Sequence, residues 1–251
     1  MAVTSSTPYT AFEARFKQAR DLRAFAESIL DAANAGDGAS RYWLYRALEE
    51  CLTSHSTMTL EEVLAQEAEQ EQEKFDPEPI REWFTRCEGL RASNGKGLGE
   101  ADAWLQRAVE AGYPMAQMQK ALVLAVHMKG NTENAERMLA DARALALKGL
   151  KSGEPAALAM MARVAVPMLG GLQSASTADS WLLAACLRGL ECGTHSEYFE
   201  VWCKSDPACQ PFETGVDLLR RGYGAEFDSV ESQARLINEQ IDAGRFDELG
   251  F

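Results

Sequence analysis

The sequence predicts an all-α protein built from helix pairs, and three observations support this. Apolar residues recur every three or four positions in most segments, which is the spacing of one helix face. Few segments alternate with the period of two that marks a half-buried strand. Alanine, leucine, glutamate and arginine dominate the composition, and all four favour helices. The 251 residues suffice for one solenoid or two compact lobes.

Residues 1–92 are predicted to form an N-terminal helical lobe. The first eight residues carry no charged side chain, and we interpret them as an N-terminal tail that precedes the first helix. Gly36 and Gly38 interrupt the apolar spacing and are expected to end the first helix. Helices are predicted over the segments 10–34, 39–51 and 80–90.

A strongly acidic segment follows the second of these helices. Thr59 and Glu62 have the spacing of a capping box, which predicts a helix start. Glutamates then dominate residues 61–74. We interpret this run as the solvated outer face of a helix, because polar helix faces normally point to water. A cation-binding face is the alternative.

Residues 93–99 form a glycine-rich segment with a single lysine, Lys96. The composition is similar to that of a phosphate-binding loop. However, no hydrophobic strand precedes it, and Gly-Lys-Gly-Leu departs from the Gly-Lys-Ser/Thr pattern of nucleotide-binding loops. We therefore expect a flexible connector between two helical lobes, and the second lobe is predicted to span residues 93–251.

The strongest helical signal covers residues 101–121. Small and large apolar residues alternate at helical spacing, break once at Gly112, and resume. Trp104 is followed by Ala108, Gly112 and Ala116, and this spacing resembles the Sel1-like repeat, a relative of the tetratricopeptide repeat. The resemblance implies an α/α solenoid of Sel1-like helix pairs, and such solenoids usually bind other proteins.

Two further repeat units are expected after the first. Turn glycines fall at positions 112, 153 and 189, so the gaps are 153−112 = 41 and 189−153 = 36 residues. These gaps lie in the range expected of helical-pair repeats. The second and third units match the pattern less well, so their boundaries stay open. A helix over residues 229–243 is predicted to cap the solenoid.

The cysteine pattern predicts disulfide bonds. The even count and the spacing favour disulfides over zinc, because zinc ligands usually lie two to four residues apart. We expect Cys51 to pair with Cys87. For the last four cysteines, local pairing of 186 with 192 and of 203 with 209 is the first choice, and crossed pairings are the alternatives. The six cysteines are Cys51, Cys87, Cys186, Cys192, Cys203 and Cys209.

Disulfides indicate an oxidising compartment. The segment from Trp181 to Pro211 also resembles the cysteine-containing region of periplasmic proteins in proteobacteria, which implies a periplasmic or secreted location. The chain has no recognisable signal peptide in the sequence given, and no apolar run approaches the length of a membrane span.

The formal net charge of −13 limits the choice of partner. Nucleic acids and anionic membranes both require a basic surface, so neither is expected as a partner. A basic protein fits the acidic balance. Solubility alone also accounts for it.

No residue set specifies a reaction, so no enzyme activity, cofactor or metal site is predicted. The three histidines, His55, His127 and His195, lie outside any recognisable catalytic spacing. His127 is expected to be a partly buried histidine with a hydrogen-bond partner. Its use as a catalytic base is the alternative.

The sequence therefore favours a protein-binding solenoid of the bacterial envelope, an adaptor or scaffold. The alternative is a periplasmic immunity protein that inhibits a toxic effector. In such arrays the first helix of each pair lines the concave face, where aromatic side chains supply binding energy. The predicted contact residues are Asp102, Gln106, Arg107, Glu110, Tyr113, Tyr198 and Trp202.

Overall fold

A computed structural model describes residues 8–52, 58–71, 76–127, 134–169, 175–193 and 214–251. Every regular element in these ranges is a helix, and none of their residues lies in a strand, which confirms the all-α prediction. The helices are α1 (Pro8–Gln18), α2 (Leu22–Asn34), α3 (Gly38–Leu52), α4 (Leu60–Glu71), α5 (Glu78–Ser93), α6 (Ala101–Glu110), α7 (Pro114–His127), α8 (Ala135–Lys151), α9 (Pro155–Leu169), α10 (Ala175–Leu187), α11 (Gly215–Tyr223) and α12 (Phe227–Asp242).

The helices group into two compact units. The N-terminal unit comprises residues 5–113 and contains α1 to α6, while residues 114–251 form the C-terminal unit with α7 to α12. The N-terminal unit therefore also includes residues 93–113, which the sequence analysis assigned to the repeats.

Helix α3 lies at the centre of the N-terminal unit. It contacts α1, α2, α5 and α6, and nine of its fifteen residues are buried. Trp43 is 1% exposed, and its ring centroid lies 5.4 Å from that of Tyr9, 5.1 Å from Phe16 and 5.7 Å from Tyr42. Aromatic pairs at such distances stabilise a core beyond their buried area alone. This cluster docks α1 onto α3.

The single helix predicted over residues 10–34 is wrong, because the chain breaks between α1 and α2. The carboxylate of Asp21 accepts hydrogen bonds from the backbone N–H of Arg23 at 2.8 Å and of Ala24 at 3.2 Å, so it starts α2 as an N-cap. The Arg86 guanidinium donates to the carbonyl oxygens of Phe16 and Ala19, both at 3.0 Å. The apolar spacing continues in phase through the break and conceals it.

A disulfide joins Cys51 at the end of α3 to Cys87 in α5, with Cα atoms 5.2 Å apart. This is the pairing that the sequence analysis expects. Helix α4 lies in the chain between the two cysteines. The predicted capping box at its start is confirmed, since Thr59 N–H donates to the Glu62 carboxylate at 2.7 Å and Glu62 N–H donates to Thr59 Oγ1 at 3.2 Å. The first of these bonds lowers the pKa of Glu62.

Helices α7 to α10 of the C-terminal unit contact one another in chain order. Helix α7 contacts α8 and α9, α9 contacts α10, and α10 contacts α12. Small residues let α7 and α8 approach closely: a Cβ atom built on Gly149 would lie 2.6 Å from Sδ of Met118. Alanines at 142 and 146 are fully buried on the same helix. Residues with larger side chains at these positions would push the two helices apart.

The three glycines predicted at turns each follow a helix and have positive φ. The angles are 75° at Gly112, 70° at Gly153 and 96° at Gly189. Positive φ strains any residue with a Cβ atom, so glycine is favoured where a helix ends in this way. The predicted turn positions are therefore confirmed.

The end of α10 combines such a turn with a disulfide. Leu190 N–H donates to the carbonyl oxygen of Ala185 and Gly189 N–H donates to that of Cys186, both at 3.0 Å, which is the hydrogen-bond pattern of a Schellman motif. The disulfide between Cys186 and Cys192 closes the same turn, with Cα atoms 5.8 Å apart. This is the local pairing chosen first from the sequence. Cys203 and Cys209 lie outside the described residues.

An arginine next to this turn ties α10 to α12. The Arg188 guanidinium donates to Asn238 Oδ1 at 2.6 Å and to the Asn238 carbonyl oxygen at 3.1 Å, and it also pairs with Asp242. Helix α12 corresponds to the capping helix predicted over residues 229–243. Helix α11 was not predicted, although Thr214 and Asp217 form a capping box at its start.

A buried carboxyl joins α10 to α11. Asp179 is 6% exposed and accepts a hydrogen bond from the Tyr223 hydroxyl. Burial raises the pKa of Asp179 above its ordinary value of 3.8, and the bond from Tyr223 partly opposes that rise. Burial and the negative charge of Asp179 also raise the pKa of Tyr223, so its hydroxyl stays protonated and keeps donating.

The two disulfides are expected to differ in their contribution to stability. In the chain-entropy account, the bond closing the longer loop, Cys51–Cys87, contributes about 4 kcal/mol and Cys186–Cys192 about 2 kcal/mol. The double variants Cys51→Ser/Cys87→Ser and Cys186→Ser/Cys192→Ser, unfolded in urea without reductant, should lose stability in that order. An equal or inverted order would contradict the account.

Asp179→Asn is expected to gain stability relative to wild type as the pH rises. The native state holds the Asp179 proton more tightly than the unfolded chain, so wild type loses stability between pH 3.8 and the raised native pKa. Asparagine does not titrate and can still accept the bond from Tyr223. Urea unfolding of both proteins across this pH range measures the difference. A difference independent of pH would refute the assignment.

Candidate functional site

The exposed face of α6 holds four of the predicted contact residues. Asp102, Gln106, Arg107 and Glu110 are all exposed, while Trp104, Leu105 and Ala108 on the other side of the helix are buried. Helix α6 packs directly against α3 within the N-terminal unit. The face therefore presents two carboxylates, one guanidinium and one amide on a helix with a buried underside. We call these four residues the α6 face.

Several bonds hold α6 in position. The Trp104 indole N–H donates to the Leu98 carbonyl oxygen, and the Arg107 guanidinium lies 4.8 Å from the centroid of the Trp104 ring. Arg41 on α3 donates to the Arg107 carbonyl oxygen at 3.2 Å and to the Ala33 carbonyl oxygen at 2.9 Å, so one guanidinium joins the ends of α2 and α6. These bonds fix the α6 face relative to the core of its unit.

The side chains of the α6 face also bond to one another. Gln106 Nε2 donates to the Glu110 carboxylate at 3.0 Å, one helical turn away. Arg107 lies between the two acidic positions in sequence. The face therefore carries alternating charge, with a net excess of one negative charge.

Of the predicted aromatic contacts, Tyr113 lies in the described residues, and it is placed differently from the α6 face. Tyr113 is half-buried, and its ring centroid lies 5.4 Å from that of Tyr42 on α3. It packs in the same unit as the α6 face and contributes to the core there. Tyr198 and Trp202 lie outside the described residues.

A cleft of about 370 Å³ opens beside α6 in the same unit. The glycine-rich segment forms one wall, Leu48 and Leu52 at the end of α3 lie opposite, and Glu49, Lys96 and Glu100 line it with charge. The segment follows helix α5 and not a strand, so the context of a nucleotide-binding loop is missing. Two carboxylates beside one ammonium also disfavour a phosphate ligand.

A second, shallower depression lies along α5 and was not anticipated. The Arg91 guanidinium stacks on the Phe84 ring at 4.1 Å from its centroid and donates to the Met58 carbonyl oxygen. Thr85 and Glu88 line the same depression of about 340 Å³. One sequence pattern could have predicted this depression. It is the adjacent pair Trp83 and Phe84, followed at helical spacing by Glu88 and Arg91.

Of the three histidines, the structure describes His127 alone. His127 is exposed at the end of α7, so the predicted partial burial is wrong, and its Nδ1 lies 2.7 Å from the Val123 carbonyl oxygen. The ring lies at the helix terminus, where solvent reaches it. His55 and His195 lie outside the described residues.

Over residues 61–69, the part whose side chains the structure describes, the acidic segment places glutamates on the outer surface of α4, as interpreted from the sequence. Glu61, Glu62 and Glu69 are exposed, and Val63 is buried at 3%. Across the described ranges, no group of three or more histidine, cysteine, aspartate or glutamate side chains could hold a metal ion. Nor does any helix in those ranges combine the length and apolar character needed to cross a membrane.

The chain matches no protein-family model, no curated protein and no solved structure. The Sel1-like resemblance therefore stays an expectation from the residues themselves.

Trp104→Phe is expected to destabilise the protein by roughly 1–3 kcal/mol, because it removes the indole N–H that binds the Leu98 carbonyl oxygen and also part of a buried ring. Trp83→Phe is the matched control: Trp83 Nε1 donates to the Glu50 carbonyl oxygen at 3.2 Å, but this side chain is only half-buried. Urea unfolding should show the larger loss for the buried Trp104. A loss at Trp104 no greater than at Trp83 would contradict its anchoring role.

Proposed function

We propose that this protein binds another protein through the α6 face and performs no catalysis itself. The observation that supports this is a polar, charged surface on a helix whose underside is buried and whose ends are bonded to its unit. A surface held in one conformation loses little entropy when a partner binds.

The charge of the face fits recognition of a basic partner. Asp102 and Glu110 lie at its two ends, and the whole chain carries a net charge of −13. Charged groups at an interface steer the approach of a partner and set the rate of association more than the final affinity. The rate of association should therefore fall as the salt concentration rises.

The proposed architecture is a Sel1-like solenoid, and the proposed location is the periplasm. Contacts of α7 with both α8 and α9 support stacking of successive helix pairs in the C-terminal unit. The two described disulfides support an oxidising compartment, since cytosolic thiols are normally kept reduced. An adaptor or scaffold of the bacterial envelope fits both features.

Site-specific photocrosslinking tests this proposal. A photoreactive amino acid replaces Gln106 on the α6 face, and a matched protein carries it at Ser232, an exposed polar position on α12. Both proteins are incubated with an envelope extract, and crosslinked species are identified by mass spectrometry. We expect a discrete product at 106 that is absent at 232. The same products at both positions, or none at 106, would refute the α6 face as the binding surface.

The rate of association with the captured partner tests the role of charge. Asp102→Asn/Glu110→Gln should slow association several-fold at low salt, whereas Asp228→Asn/Glu239→Gln, the same charge change on α12, should not. The difference should vanish as the screening length falls from about 10 Å at 0.1 M to about 3 Å at 1 M salt. Equal rates for both variants would rule out local steering. A captured basic toxin that is inactivated by binding would favour the immunity role.

A further inference from the structure

The glycine-rich segment contains an Asn-Gly sequence in an unusual conformation. Asn94 is exposed and ends α5 with φ 47° and ψ 43°, a left-handed conformation. Gly95, which follows it, is buried and also has positive φ, at 65°. Asparagine followed by glycine is the sequence most prone to deamidation, because glycine leaves the attacking backbone nitrogen unhindered.

The native conformation blocks this reaction in two ways. At ψ 43°, the Gly95 nitrogen lies opposite Cβ of Asn94 about the Cα–C bond, so it cannot reach the side-chain Cγ. The same N–H donates to the Leu90 carbonyl oxygen at 3.0 Å. Attack requires the backbone to rotate by roughly half a turn at Asn94 and to break this bond, which ends α5.

An arginine from α2 holds the segment closed on both sides of Asn94. The Arg23 guanidinium donates to Ser93 Oγ and, at 3.4 Å, to the Lys96 carbonyl oxygen. Ser93 Oγ in turn donates to the Gly89 carbonyl oxygen at 2.7 Å. Opening of the segment therefore requires loss of the contacts from Arg23.

We propose that Asn94 is a modification site that the fold gates through this arginine. When the segment opens, the Gly95 nitrogen loses its proton to solvent base and bonds to Asn94 Cγ. The Cγ–Nδ2 bond breaks and ammonia leaves, so a cyclic imide forms. Water then opens the imide at either carbonyl and yields aspartate or isoaspartate.

The product keeps the segment from closing again. Isoaspartate adds a methylene to the main chain, so the Gly95 N–H no longer meets the Leu90 carbonyl oxygen. Both products place a new carboxylate at the cleft that Glu49 and Glu100 already line. Three carboxylates then share the cleft with the single ammonium of Lys96, and their excess negative charge favours the open segment. Because the ammonia is lost, the modification is irreversible, and modified protein accumulates as the segment opens.

Peptide mapping that separates aspartate from isoaspartate tests this inference. Wild type, Arg23→Ala and Asn94→Gly are incubated with disulfides intact, folded or in denaturant, at mildly alkaline pH. Folded wild type should react at Asn94 at least ten-fold more slowly than denatured wild type, which corresponds to about 1.4 kcal/mol of local opening. Folded Arg23→Ala should react several-fold faster than folded wild type. Asn94→Gly keeps a residue suited to positive φ and controls for reaction elsewhere.

Hydrogen exchange at the Gly95 amide, followed in the same samples, reports opening independently. The proposal requires that faster exchange accompany faster deamidation in Arg23→Ala. Equal rates of deamidation at Asn94 in folded and denatured wild type would contradict the proposal that the fold protects this residue. Faster exchange in Arg23→Ala without faster deamidation would overturn it as well. If Arg23→Ala does not fold, wild type in subdenaturing urea is the second test. The rates of Gly95 amide exchange and of Asn94 deamidation must then rise together.

Discussion

Burial of α3 from several sides is the constraint on which the N-terminal unit depends. Tyr42, Trp43 and Leu44 are adjacent in sequence and all fully or almost fully buried, so they cover a wide arc of the helix. Fully burying a large apolar side chain contributes about 1.5–3 kcal/mol, and this gain requires helices on every covered side. The neighbours α1, α2, α5 and α6 supply that cover. The position of the α6 face follows from it.

Arginines complete the unit where helices end. A carbonyl oxygen near a helix terminus has two lone pairs, so it can accept a side-chain donor in addition to any backbone N–H. Arg41 serves the ends of α2 and α6, Arg86 serves the end of α1, and Arg23 serves the segment after α5. In each case the guanidinium comes from a different helix. The ends of the helices are therefore fixed by tertiary contacts and not by local capping alone.

Most local features were predictable from the sequence, and features that depend on distant residues were not. The capping box at Thr59 and the turn at Gly189 follow from residues within one helical turn. The break before Asp21 was missed although its cap is local, because the apolar spacing continues through it. The bonds from Arg86 to the Phe16 and Ala19 carbonyl oxygens at this break come from far along the chain. Half-burial of Tyr113 depends on Tyr42, which periodicity cannot reveal. For the candidate site, spacing predicted which face of α6 is polar, but not what holds the helix.

Native-state hydrogen exchange tests the central claim that α6 is fixed on α3. Because Trp104 and Leu105 pack in the core that α3 organises, the slowest amides of α6 should exchange with the same opening free energy as those of α3. As denaturant is added, the opening free energies of the slowest amides in α6 and in α3 should remain equal. Exchange of α6 by a separate, lower-energy opening, while α3 stays protected, would contradict the claim that the α6 face is held rigid by the core of its unit.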